Sequence, residues 1–210
     1  MTNPEIRIMF SVLLYYSESQ NLAKSYDRKI EISEEECYRQ THEYKKAWAK
    51  KEDAIVTGMQ KIFGLTFYKP VIDVTLAPAF GPKSLPLIIN FYYKPDMFID
   101  ILTHELFHNL FTDNQYIQRS KTNNVVEVWR ELFPEDLSPT ARVHIPVHAG
   151  LKAIYLDVLD EPKRLERDIE ECQQWPDYKA AWEYVEQHDY KKIIKKFKDS
   201  YKNGKYTTYT

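Results

Sequence analysis

Glycine is scarce in this chain, with 5 in 210 residues. That argues against collagen-like repeats and against an architecture organised around glycine loops. Cysteine is scarcer still. Cys37 and Cys172 stand far apart, and two thiols in a chain of this length suit a reducing compartment better than a disulfide-built scaffold. Neither sign of charge dominates: 29 Lys and Arg face 31 Asp and Glu, a formal net charge of −2. No bulk attraction to nucleic acid or to an anionic membrane follows, and neither partner is expected. Long apolar runs are also missing. The longest, Ile8 to Tyr16 and Leu85 to Tyr93, are broken by Ser11 and Asn90 and are too short to span a bilayer. The opening MTNPEIRIMF has no cationic stretch before its apolar residues and no small-residue cleavage site, so no signal peptide is expected. The expectation is a soluble, cytoplasmic protein.

What the chain has in quantity is aromatic surface. Hydrophobic residues make up 43% and aromatics 14%, with 16 Tyr, 10 Phe and 4 Trp. That supplies a small core with large, rigid pieces. The length fits one domain spanning 1–210, with a core at about 65–160 and helical additions at both ends.

Residues 4–17 read as a short apolar helix opened by Pro4 and Glu5, with a buried strand from Ile6 to Leu14 as the competing reading. Ser33 and Glu36 form a capping box, and Gly64 is a good stop. Between them Glu34 to Phe63 is one long amphipathic helix or two in succession. Val71 to Leu76 is a β-branched strand, and Leu85 to Tyr93 is a second, with Pro86 marking its start or an edge position. Pro95-Asp96 opens a helix that runs to about Phe111. Val125 to Phe133 is helical, and Ser138-Pro139 caps and opens a further helix to Leu159. Pro162 to Tyr201 is charged and helical in pattern, and the last six residues should fray. Together these predict an α+β fold. A small, mostly antiparallel sheet is packed by the helix of residues 95–111 and surrounded by further helices.

That helix carries the chemistry. It contains His104-Glu105-Leu106-Phe107-His108, an H-E-x-x-H pattern. Two His at i and i+4 share one helix face, so both imidazoles can reach a single metal ion. Neutral imidazole is a good Zn²⁺ donor, and Glu105 sits where it can take a proton from water activated by the ion. The flanking Ile101, Leu102, Leu106, Phe107, Leu110 and Phe111 make the helix buried on most sides. Two His and a Glu in such a setting are costly without partners.

On these residues the chain resembles the zincin metallopeptidases, whose hallmark is this motif on an active-site helix. The match is specific at five positions and softer over about 85 residues, from the region of Leu76 to Asp160, where strand, helix and later helix follow in the family's order. The resemblance implies zinc held by His104 and His108, water activated by Glu105, and an extended peptide paired on an edge strand near Leu85 to Tyr93. The metzincin extension would require Gly at 111 and His at 114, where this chain has Phe111 and Asn114. The gluzincin branch takes a later Glu as third ligand, which points to Glu127 or Glu131. A second pair, His144 and His148, competes with them, because its neighbours Val143, Ile145, Val147, Leu151 and Ile154 are apolar. Likeness to gluzincins, where the ligand comes first on its helix, implies His144 as the third ligand and His148 as a hydrogen-bonding partner of the site or of the developing oxyanion, with His148 itself the alternative ligand. The expected function is a zinc-dependent peptidase acting on a peptide or protein. The alternative is a non-catalytic, zinc-stabilised fold of this kind that binds a partner.

Three other features have plainer readings. The lysines from Lys191 to Lys205 read as the solvated face of an amphipathic helix whose Ile193, Ile194 and Phe197 pack inward. Asp113 either orients a ligand His or simply ends its helix. Tyr155 lies on the same helix face as His148, two turns on, within reach of an oxyanion.

Overall fold

The computed structural model describes residues 2–26, 31–122, 124–204 and 206, with the side chains of 20–26, 202 and 203 left aside. The chain begins with β1 (Glu5–Phe10), α1 (Val12–Tyr26), α2 (Glu34–Trp48) and α3 (Glu52–Phe63). Then come β2 (Val71–Leu76), β3 (Lys83–Ser84), β4 (Leu87–Ile89) and α4 (Pro95–Thr112). The rest is helical: α5 (Val125–Arg130), α6 (Pro139–Ala153) running into a π turn at Ile154–Val158, α7 (Pro162–Cys172), α8 (Pro176–Gln187) and α9 (Tyr190–Asn203). No helix among the described residues is long and apolar enough to cross a membrane. Of the six terminal residues expected to fray, Lys205 and residues 207–210 lie outside the described part.

Local chemistry accounts for most boundaries. Ser33 caps α2 by accepting from the Glu36 N–H, and Ser138 caps α6 by accepting from the Ala141 N–H. Pro95 and Pro139 occupy first-turn positions, where their missing N–H costs nothing. α3 ends at Gly64, whose φ of 63° is the left-handed conformation glycine adopts without strain, and the Leu65 N–H then bonds back to the Gln60 carbonyl. The stretch from Glu34 to Phe63 is two helices, separated at residues 49–51.

The fold is α+β with a four-stranded sheet in the order β1-β2-β4-β3. The sheet is mixed and not mostly antiparallel as expected: β1 pairs β2 in parallel, β2 pairs β4 in parallel, and only β3 against β4 is antiparallel. The reason lies at the N-terminus. Residues 4–17 are neither one helix nor one strand but β1 followed at once by α1. Three helices then separate β1 from β2, and so long a crossover allows parallel pairing. The expected edge strand is likewise corrected. Leu87–Ile89 lies inside the sheet, bonded to β2 on one side and β3 on the other, while the edges are β1 and β3.

The described residues fall into two compact units. One comprises Pro4–Asp53 and Pro70–Leu106, holding the sheet, α1, α2 and the first two-thirds of α4. In its core Tyr44 of α2 stacks flat on Phe98 of α4, with ring centroids 4.1 Å apart. The other comprises Met1–Asn3, Ala54–Lys69 and Phe107–Thr210. Its core is aromatic: Phe63, Phe111 and Phe197 form a ring cluster with centroid separations of 4.6 to 5.9 Å, and Trp129 packs on Phe197 at 5.2 Å. Ile193, Ile194 and Phe197 are buried there, while Lys191, Lys192, Lys195 and Lys196 of α9 are exposed as the pattern predicts.

Within this second unit α6 lies against the end of α4. Gly150 makes the close approach feasible, because a Cβ at that position would stand 2.7 Å from the Phe107 ring. Phe107 is the immediate neighbour of His108, so the glycine lets α6 bring His144 up to His108.

Candidate metal centre

α4 supplies His104, Glu105 and His108, all on a helix whose Leu102, Leu106, Phe107, Leu110 and Phe111 are fully buried. α6 supplies His144 and His148 one turn apart. Among the described residues one group of three metal-capable side chains converges: His104, His108 and His144, whose ligand atoms all lie within 4.8 Å of one another. Tetrahedral zinc with bonds of about 2.0–2.1 Å holds its donors about 3.4 Å apart, within the 4.8 Å that bounds this group. His108 and His144 already meet edge to face at 4.9 Å between ring centroids.

The electrostatics suit a cation. Burial, and after it the neighbouring His144 and Arg119, hold the His108 imidazole down at about 3. Burial also lowers His144, against the opposing pull of its hydrogen bond to the Thr140 carbonyl. Both therefore stand neutral at physiological pH with a lone pair to offer. The Thr140 bond does more. His144 Nδ1 lies 2.8 Å from that carbonyl oxygen, which can only accept, so Nδ1 carries the hydrogen and Nε2 is the donor His144 can offer a metal. Glu105 is 7% exposed, and burial pushes its carboxyl up to about 8. A divalent ion beside it would favour the ionised form and reverse that shift.

The other sequence candidates separate cleanly. Glu127 and Glu131 are exposed and outside the converging group, and Glu127 pairs instead with Arg130 at 3.5 Å. Asp113 lies 3.7 Å from Lys69 and accepts from the Arg119 N–H at the end of α4, in keeping with a helix terminator. Tyr155 is buried within the π turn. His148 is fully buried, its ring centroid 5.8 Å from that of His144, and it stacks on Trp182 of α8 at 4.5 Å with the planes only 15° apart.

Three residues around the site went unread in the sequence: Thr140, Tyr178 and Trp182. Thr140 stands four residues before His144, the offset at which a helical side chain meets a backbone carbonyl. Tyr178 and Trp182 repeat the one-turn spacing of the His pair, but with 16 Tyr and 4 Trp in the chain nothing local sets them apart.

Burial places the His148 imidazole well below 6.5. Below that pH the unfolded chain binds a proton that the folded chain refuses, so stability is lost as pH falls. His148→Phe removes the titration and keeps an aromatic ring against Trp182. Metal-free wild type should lose stability relative to this variant as pH falls below about 6.5, measured by urea unfolding. Parallel stability curves would contradict the burial argument.

Comparison with known proteins adds no family: no protein-family model matches the chain, and no curated protein or solved structure matches it significantly.

Proposed function

We propose that the chain is a zinc-dependent peptidase of zincin-like build, with His104, His108 and His144 as the metal ligands and Glu105 as the general base. The observation that carries this reading is the convergence of three histidines on α4 and α6, with Glu105 adjacent to the first of them. A zinc ion held there would supply Lewis acidity to a carbonyl oxygen and acidify water. Glu105, ionised beside a bound divalent ion, takes the proton of the attacking water and passes it to the leaving amine. Thr140 fixes the tautomer of His144. His148, held by Trp182, backs the ligand helix from within the core.

The test is hydrolysis of a mixed peptide library by the full chain. Cleavage should disappear on chelation and return on adding one equivalent of zinc. Zinc binding without any cleavage would remove the peptidase assignment.

The depth of the ligands supports a second reading. His104 and His144 are only 8% and 7% exposed, which suits an ion that stabilises the fold and binds a partner without chemistry. That reading predicts a large drop in Tm on chelation and no activity on any library.

A further inference from the structure

We propose that Tyr178 is a positioning residue for the third metal ligand: its ring, fastened over His144 from the first turn of α8, holds that imidazole in the orientation that metal binding needs. This rests on the metal centre proposed above and extends it to a residue of a different helix.

The fastening is visible in the hydrogen bonds. Ser138, the cap of α6, donates through its Oγ to Asp177 Oδ1 at 2.6 Å while accepting from the Ala141 N–H. The first turns of α6 and α8 are thereby joined. The next residue, Tyr178, sets its ring centroid 4.2 Å from that of His144, tilted by 39°. One turn along α8, Trp182 covers His148, and its indole N–H donates to Asp168 Oδ2 at 3.1 Å. Two aromatic residues one turn apart thus face two histidines one turn apart, in register.

Thr140 and Tyr178 constrain His144 in different ways. The Thr140 carbonyl holds one edge of the imidazole and selects the tautomer, but a bond to an edge leaves the ring plane able to tilt about it. A ring against the face removes that freedom. An imidazole held in both respects loses less rotamer entropy when it ligates a metal. Tyr178 is half-buried, unlike the fully buried Trp182, so its truncation bares the face of the ligand without emptying the core.

The experiment measures Zn²⁺ affinity by competition with a chromophoric chelator and records the visible spectrum of the Co²⁺-loaded chain. Tyr178→Ala should weaken zinc binding about tenfold or more and alter the Co²⁺ bands, whereas Tyr178→Phe, which keeps the ring, should stay within about twofold of wild type. Asp177→Asn loosens the fastening with the ring retained, and should give a smaller loss in the same direction. It carries the test if Tyr178→Ala does not fold by near-ultraviolet circular dichroism. Equal affinity and an unchanged Co²⁺ spectrum in Tyr178→Ala, or in Asp177→Asn if that variant must stand in, would overturn the proposal, as would a Tyr178→Phe loss as large as that of Tyr178→Ala. If the wild-type chain binds neither metal, the metal centre itself falls. If wild type binds and Tyr178→Ala matches it, only the role of Tyr178 falls.

Discussion

His144→Ala should lower zinc affinity by about two to four orders of magnitude while leaving the metal-free chain folded. The size follows from sharing. Structural zinc sites bind with about 10–16 kcal/mol, and removing one of three protein donors forfeits roughly a third of that, beyond the ten- to hundredfold typical of an outer hydrogen-bonding partner. The direction follows from placement, since His144 is the one α6 side chain in the converging group. The controls are sharp. Glu127→Gln and Glu131→Gln should bind zinc as wild type does, because both carboxylates are exposed and outside that group. The loss also appears as stability. Zinc at about a thousand times its wild-type Kd stabilises a folded chain by about 4 kcal/mol, so at the same zinc concentration the zinc-dependent rise in Tm should fall to about a third of the wild-type rise or less in His144→Ala. Isothermal titration and thermal melts with and without zinc read both quantities. A Glu127 or Glu131 variant that lost zinc while His144→Ala kept it would relocate the third ligand.

Glu105→Gln should separate binding from chemistry. The variant keeps all three histidines and should bind zinc within a few-fold of wild type, yet hydrolyse peptides about 10²- to 10⁴-fold more slowly, the range expected for loss of a general base. It should also be more stable than wild type when metal-free. Burial holds the Glu105 carboxyl at about 8 against 4.5 for an ordinary glutamate. Between those values the folded chain keeps a proton that the unfolded chain releases, so the wild-type residue costs stability as pH rises through that window. The amide does not titrate, and the variant should gain up to about 3 kcal/mol at pH 7 in the metal-free form. Unchanged hydrolysis in Glu105→Gln would end the assignment of the base. A metal-free form no more stable than wild type would contradict the burial argument alone.

The parts of this molecule legible in its sequence are those fixed by short-range chemistry. Ser33, Gly64, Pro95 and the Ser138-Pro139 pair each satisfy or omit a hydrogen bond within a turn of themselves, and each marks a boundary the structure keeps. The i, i+4 spacing of His104 and His108 belongs to the same class, and so does the apolar stripe of α9. The arrangement of the sheet does not. Glu5–Phe10 is a strand because it pairs with Val71–Leu76, some sixty residues later, and an apolar run that short has no periodicity to separate it from the helix that follows. Once that strand was hidden in a helix, neither parallel pairing could be anticipated, and Leu87–Ile89 looked like an edge. Which later side chain joins His104 and His108 stayed open in the sequence among His144, His148, Glu127 and Glu131, and the structure brings His144 into the group. What distinguishes His144 from His148 is tertiary: Gly150 seats α6 against Phe107, and Trp182 of α8 takes the ring of His148.

The most direct measurement is the metal content of the purified chain after equilibration with zinc and removal of the excess, by elemental analysis of wild type beside His108→Ala. The account predicts one zinc per wild-type chain and almost none in the variant. Wild-type protein without stoichiometric metal, or a variant that retains it, would contradict the claim that these histidines form a metal centre.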